Sequence, residues 1–345
     1  MTSIRLSRLA ASIALSLASI TLVHAADEPA YGPELEGFAY PAPVQQFNFT
    51  SQGVKLHMAY MDIAPQGKAN GRTVVLLHGK NFCGATWEAS MKVLAGAGYR
   101  VVVPDQVGFC KSSKPQHYQY SFQQLAENTH ALLESIGVKG AATIIGHSTG
   151  GMLAARYGLM FPQQTEQLVL VNPIGLEDWK ALGVPALGVD KWYQRELQTT
   201  AEKIRNYEKS TYYVNHWKPE YEPWVQMLAG MYRGPGKEIV AWNSALLYDM
   251  IYTQPVVYEF PLLKMPTLLL IGLKDTTAIG KDAAPEALRP KLGNYPELAT
   301  RTVKAIPKAT LVSFPDMGHA PQMQDPAAFH AALLKGLHAG LKPGK

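Results

Sequence analysis

Five residues near the middle of the chain, Gly146-His147-Ser148-Thr149-Gly150, read Gly-x-Ser-x-Gly at a point where an apolar strand passes directly into a helix. Ahead of them, Ala142-Thr143-Ile144-Ile145 is short, apolar and partly β-branched, as a parallel strand covered on both faces should be. Behind them, Gly151-Met152-Leu153-Ala154-Ala155-Arg156-Tyr157 favours a helix, with no proline before Pro162. A strand that reverses into a helix over one serine holds that serine in a strained backbone conformation, with its hydroxyl raised at the carboxyl edge of the sheet. The flanking glycines remove the Cβ atoms that would block so tight a turn. The motif thus demands a parallel sheet with helices packed on it.

The rest of the chain supplies that sheet. Residues 45–50 and 54–61 read as two opening strands joined by a Ser-Gln-Gly turn, and 73–77 as a fully apolar strand followed by a helix over 87–97. A strand over 100–103 stops at Pro104, and Ser121 with Gln124 resembles a capping box that opens a helix through Leu133. A strand over 167–171 follows the helix after Ser148. Strands alternating with helices in this way argue a parallel sheet covered on both faces. Between Asn172 and Met265 the alternation stops. That stretch holds five of the six tryptophans and nine tyrosines, and it predicts an inserted helical cap over the site. Removing aromatic bulk there, as at Trp217 or Trp224, is expected to shift substrate preference. The sheet pattern resumes over 266–272 and 310–314, and a final helix is expected over 326–338. The organisation expected is a leader over 1–25, an extension over 26–44, a core built from 45–172 and 265–345, and a cap over 173–264.

The leader is read from Arg5 and Arg8, an uncharged run over 9–23 and the small residues of Val23-His24-Ala25. This is a secretory signal with cleavage expected after Ala25, so the mature protein is expected in the periplasm or outside the cell. The run is too short and too rich in serine and alanine to be a comfortable anchor, and no stable membrane insertion is expected. The formal charge of +5 includes both leader arginines, and the modest, scattered excess that remains does not suggest nucleic acid. No metal or organic cofactor is expected, since there is no His-Glu-x-x-His, no Gly-x-Gly-x-x-Gly after a strand and no metal-spaced cysteine and histidine set. The partner expected is a small-molecule substrate. The sequence does not give an oligomeric state.

A serine nucleophile needs a base, an acid to orient the base and donors for an oxyanion. His319, in Gly318-His319-Ala320-Pro321 just past the last strand, is the expected base. Asp275, in Ile271-Gly272-Leu273-Lys274-Asp275, is the expected acid, and the order Ser148, Asp275, His319 suits a nucleophile of this type. Glu177 and Asp178 are rivals for the acid. Asp105 reads as a turn-stabilising carboxylate, and His78 and His147 read as packing residues. Oxyanion donors should be backbone N–H groups: Thr149 for one, and for the other Lys80, with Asn81 next, from the loop after Leu77.

Together the His-Gly loop, the Pro-Asp-x-x-Gly turn, Gly-His-Ser-Thr-Gly-Gly, the Ile-Gly-x-x-Asp acid and the Gly-His-x-Pro histidine resemble the α/β-hydrolase fold family, in its serine-nucleophile form with a helical cap. The resemblance spans roughly residues 45–340 and implies a mostly parallel eight-stranded sheet flanked by helices. Position 148 being serine sets the chain apart from relatives with an aspartate nucleophile. One departure is Gly108-Phe109-Cys110, where cysteine replaces the second glycine of the family's usual turn. In this fold the strands before Cys83 and Cys110 are neighbours, so the resemblance implies that these two, the only cysteines, form a disulfide in an oxidising compartment. Two buried thiols are the alternative.

The activity implied is hydrolysis of a carboxylic ester of a small, apolar or aromatic substrate through an acyl-enzyme. A carbon–carbon bond or lactone hydrolase with the same triad is an alternative, and so is a non-catalytic ligand-binding member of the fold.

Overall fold

The structure, a computed structural model, describes residues 28–339. The leader and cleavage site expected over residues 1–25 lie outside them. The chain opens on a hairpin, β1 (Gln45–Ser51) and β2 (Val54–Ile63), paired antiparallel with Ser51 opposite Val54. Its two-residue turn, Gln52-Gly53, has both φ angles positive, 51° and 77°, which matches the twist of the strands it joins.

From there strands and helices alternate: β3 (Thr73–Leu77), α1 (Glu88–Gly96), β4 (Arg100–Pro104), α2 (Phe122–Ser135), β5 (Ala142–His147), α3 (Thr149–Met160) and β6 (Thr165–Val171). Five helices then intervene: α4 (Trp179–Leu182), α5 (Val189–Glu196), α6 (Ala201–Thr211), α7 (Glu222–Arg233) and α8 (Lys237–Thr253). The alternation resumes with β7 (Thr267–Gly272), α9 (Tyr295–Ala305), β8 (Ala309–Phe314), α10 (Pro321–Gln324) and α11 (Pro326–Ala339).

All eight strands form one sheet in the order β1-β2-β4-β3-β5-β6-β7-β8, parallel from β4 to β8, with β1 and β2 antiparallel at one edge. Successive residues of each strand face opposite layers. Val74, Leu76, Ile145, Val169 and Leu268 pack with Met91 and Leu94 of α1 and Leu333 and Leu337 of α11. Val75, Leu77, Ile144, Leu168 and Leu269 pack on the other face with α2, α3 and α9. Both faces are dry, which is why these strands are continuous apolar runs rather than alternating ones. No helix among the described residues is long and apolar enough to cross a membrane.

Observed ends differ from the expected ones by a residue or two. The larger departure is at the start of α1, where Gly84–Trp87 forms a separate 3₁₀ turn. Ser121 caps α2, its Oγ accepting from Gln124 N–H at 3.0 Å, but the Gln124 side chain runs forward to Asn128 instead of returning to the cap.

Candidate active site

The sequence-expected residues Ser148, Thr149, Lys80, Asn81, Asp275 and His319 lie beyond the carboxyl ends of parallel strands, on or next to the segments that follow β3, β5, β7 and β8, and Cys110 follows β4. Ser148 stands between β5 and α3 at φ 56° and ψ −121°, a strained conformation for a residue with a side chain. Two close approaches fix this turn. A β-carbon on Gly150 would stand 2.3 Å from the Leu77 carbonyl oxygen, so α3 can begin against the end of β3 only with glycine there. One on Gly79 would fall 2.9 Å from Ser148 Cβ, which places the loop after β3 directly beside the serine. The Ser148 N–H donates to the Val171 carbonyl at 3.1 Å and its own carbonyl accepts from Gly151 and Ile174, so the backbone is held from β6 and α3 together.

His319 lies between β8 and α10 and is fully buried. Its Nδ1 is 2.6 Å from Asp275 Oδ2, and Nε2 has no hydrogen-bond partner among the described residues. Asp275, three residues past β7, is saturated around this bond. Oδ1 accepts from the Thr277 N–H at 2.8 Å and the Thr277 hydroxyl at 2.7 Å, and Oδ2 also accepts from Asn172 Nδ2 at 2.9 Å. Asn172 is itself fixed, accepting from the Gly272 N–H at 2.8 Å. A carboxylate held by this many donors fixes the imidazole so that Nδ1 carries the proton and Nε2 is the free acceptor.

The rivals for the acid are spent elsewhere. Asp178 caps α4 through the N–H groups of Lys180 and Ala181. Glu177 accepts from Trp179 Nε1 at 3.1 Å and Gly293 N–H at 2.9 Å. Asp105 stabilises its turn, accepting from Gly84 N–H, Lys111 N–H and the Tyr40 hydroxyl.

The two packing histidines brace the site. His147 Nε2 donates to the His319 carbonyl at 2.8 Å, and burial pushes its basicity well below the usual 6.5, with His319 adding to the effect, so it stays neutral. His78 Nδ1 donates to the Gly79 carbonyl at 2.9 Å while Nε2 accepts from the Gln106 N–H; burial lowers it too.

Thr149 is the first residue of α3, where a backbone N–H has no acceptor within the helix. Lys80 and Asn81 form the turn after Gly79, and their side chains leave the core. Asn81 Nδ2 donates to the Tyr212 hydroxyl at 3.0 Å, and the Tyr212 ring sits 4.7 Å from that of His319. The Lys80 ammonium is 2.7 Å from Ser244 Oγ, and burial lowers its pKa against the opposing pull of Glu196. Cys83 and Cys110 are joined as a disulfide, Cα atoms 5.8 Å apart. Cys110 keeps a left-handed φ of 45°, so the turn has the shape that the usual glycine would give it.

Sequence reasoning missed Asn172, Thr277 and Tyr212. An asparagine immediately after an apolar strand, here at φ 36°, was a usable signal for the first. Tyr212 was one ring among nine. Trp217 and Trp224, the positions named for substrate preference, both have ring partners. Trp217 packs edge-on against Tyr213 and Tyr221, in a cluster that also takes in Tyr212, Phe82 of the loop after β3 and Ala320 beside His319. Trp224 packs on the same cluster and lies near Phe38 of the N-terminal segment.

Comparison with known proteins agrees with this architecture. The chain is 26% identical to Lipase 1 of Psychrobacter immobilis over 271 residues, 76% of either chain. It is 25% identical to Lipase 3 of Moraxella sp. (strain TA144) over 283 residues, 80% of this chain and 82% of that one. A crystal structure of a probable hydrolytic enzyme from Pseudomonas aeruginosa PAO1 matches with a TM-score of 0.89 at 67% identity, over 90% of this chain and 99% of that one. A family model described as the alpha/beta hydrolase fold matches residues 72–326. With that match across most of its length, and the sheet and strand–serine–helix turn just described, the chain belongs to the α/β-hydrolase fold family.

Proposed function

We propose that this chain is an exported serine hydrolase that cleaves a carboxylic ester of a small, apolar or aromatic substrate through Ser148, His319 and Asp275. The observation that carries the reading is the buried His319–Asp275 pair at 2.6 Å with Nε2 left unpartnered, in a chain whose serine stands on a strained strand-to-helix turn. In the reaction, Ser148 Oγ attacks the ester carbonyl as His319 Nε2 takes its proton. Asp275 holds the imidazole tautomer and stabilises the imidazolium. The N–H groups of Thr149 and Lys80 receive the developing oxyanion. His319 returns the proton to the leaving alcohol, then activates the water that hydrolyses the acyl-enzyme. The lipase names of the two sequence relatives support ester chemistry for this chain.

A cleft of about 500 Å³ between the insertion and the loop after β7 is walled by Trp192, Tyr207, Tyr248 and Ile279 and by the charged residues Arg195, Glu196, Lys281, Asp282 and Arg289; Ser148 and His319 do not line it. Export is supported by the composition of residues 1–25 and by the Cys83–Cys110 disulfide, a bond that persists in oxidising compartments.

The test is labelling of the purified mature protein with a fluorophosphonate, alongside turnover of graded p-nitrophenyl esters. The wild type should be labelled at Ser148 and hydrolyse short esters. Ser148→Ala should fold normally, escape labelling and lose on the order of 10⁴-fold or more in kcat. Full turnover by a folded Ser148→Ala protein would overturn the assignment. Export is tested by the amino terminus of the protein recovered outside the cytoplasm, which should be Ala26.

A further inference from the structure

Between Gly79, which lies against Ser148, and Phe82, the turn carrying Lys80 and Asn81 is closed by one backbone bond, Phe82 N–H to the Gly79 carbonyl at 3.2 Å, and is otherwise held through the Lys80 and Asn81 side chains. Beyond it the loop is well fixed, by the disulfide at Cys83 and by the bond from Gly84 N–H to Asp105. The side chain of Lys80 crosses out of the core into the inserted helices. Its ammonium donates to Ser244 Oγ of α8 at 2.7 Å, lies 3.6 Å from the centre of the Tyr248 ring on α8 and is 3.7 Å from Glu196 Oε2 at the end of α5. Ser244 passes the bond on, its hydroxyl donating to Glu196 Oε2 at 2.5 Å, and the Tyr232 hydroxyl of α7 donates to the same oxygen. One ammonium is thereby tied to three of the five inserted helices.

Resting on the serine-hydrolase reading above, we propose that Lys80 is a positioning residue: its side chain, latched to Glu196, Ser244 and Tyr248, holds its own backbone N–H in place as an oxyanion donor. The physical case is one of direction rather than adhesion. An apolar side chain would bind helices over a core with less desolvation cost than a buried ammonium and carboxylate. What the ionic cluster adds is a fixed position, because a 2.7 Å hydrogen bond and a ring face define where the ammonium sits and so where the short turn behind it can lie. An oxyanion donor is effective only when held at the position before charge develops. The neighbouring residue repeats the arrangement, Asn81 reaching Tyr212, which in turn stands on the ring of His319. The insertion therefore braces both the donor turn and the base.

The latch also borders open space. Lys80, Asn81, Glu196, Tyr207, Ser244 and Tyr248 all line a cavity of about 170 Å³. A substrate group that fills it touches the same side chains that set the oxyanion geometry.

The experiment compares Lys80→Met, Glu196→Gln, the double variant and Ser244→Ala, with active sites counted by fluorophosphonate titration. Kinetics on a short p-nitrophenyl ester are expressed per titrated site. In Lys80→Met and Glu196→Gln, kcat should fall about tenfold or more, short of the 10²–10³-fold expected when a donor is removed outright. KM should stay within about twofold, and the double variant should be no worse than Lys80→Met alone, since both break one linkage. Ser244→Ala, which removes a single hydroxyl and is the change best tolerated by the fold, should give a smaller fall in kcat of the same kind. If kcat per titrated site is unchanged while melting temperature or the number of active sites drops, or if KM alone rises, the latch is overturned and the cluster serves stability or binding. Failure of the wild type to be labelled at all would instead remove the serine-hydrolase reading, and the latch with it.

Discussion

Ser148 accepts a backbone strain of about 1–3 kcal/mol, and the groups around it explain why the fold sustains it. Its N–H and carbonyl are bonded to β6 and α3, and the two glycine approaches leave the turn no other shape. Asp275 is similarly over-determined, with Thr277, Asn172 and His319 all on its two oxygens. Asp275→Asn should preserve this packing but favour the wrong imidazole tautomer, lowering kcat by up to about 10⁴-fold with little change in KM. A near-wild-type kcat in that variant, with Asp178→Asn inactive, would move the acid to the preceding strand. A different residue carries a stability cost. Glu208 of α6 is fully buried with no hydrogen-bond partner on either carboxyl oxygen among the described residues, and burial, with Glu222 nearby, raises its pKa well above 4.5. The folded chain then keeps a proton that the unfolded chain releases. The stability tied to that proton is fully present below about pH 4.5 and is lost as pH rises toward the folded value. Glu208→Gln cannot lose a proton, so its melting temperature should match the wild type near pH 4 and exceed it near pH 8. Parallel melting curves across that range would mean that Glu208 does not hold its proton in the fold.

At the scale of elements, the loop from His78 to Cys83 is the piece on which the site most depends, because it must lie beside Ser148 while its side chains reach the insertion. The disulfide closes a stretch of 27 residues between this loop and the turn after β4. Cys83→Ser with Cys110→Ser should cost about 3–4 kcal/mol by the chain-entropy estimate, measured by denaturant unfolding with and without reductant. An unchanged midpoint would mean that the bond contributes nothing to the folded chain. The elements themselves were legible where local chemistry decides them. Apolar runs over 73–77 and 266–272 could only be doubly covered strands, and Ser148 between a strand and a helix could only be a tight turn. Ser121 was legible as a cap because capping is a contact over three residues. The break in alternation after β6 located the insertion. What the sequence did not disclose were pairings between elements far apart along the chain. Lys80 and Ser244 are 164 residues apart, and nothing in either neighbourhood marks the other. Aromatic content likewise marked the insertion without distinguishing Tyr212, whose ring meets that of His319, from Trp217, which packs on Tyr213 and Tyr221 in the same cluster.

Across the whole molecule, the segment before β1 ties the insertion to the core through α7, at positions on either side of Tyr232. Tyr31 N–H donates to the Gly230 carbonyl of α7, and Arg233, at the end of α7, bonds Pro29 and Glu28. A few residues on, Leu35 is fully buried and its carbonyl accepts from Lys111 Nζ, while Glu34 lies 3.3 Å from His57 Nε2 on β2. Tyr40 then donates to Asp105 at 2.6 Å, the same carboxylate that holds Gly84 beyond the donor turn. Residues 28–40 thus form a strap from α7 across to β2 and β4, and the inserted helices are attached to the core at the strap as well as at their own chain ends. This predicts an order of loosening. Leu35→Ala should cost about 2–5 kcal/mol as a large-to-small change at a buried site, and removal of residues 28–40 should cost more. Hydrogen exchange should speed up first in α7 and α8, with the strands β3 to β7 still protected, because the doubly covered sheet does not depend on the strap. The truncated protein should retain Ser148 labelling at low temperature and lose it on warming before the sheet unfolds. Equal acceleration of exchange in sheet and insertion would show the strap to be part of one cooperative core rather than a tie between two parts of the molecule.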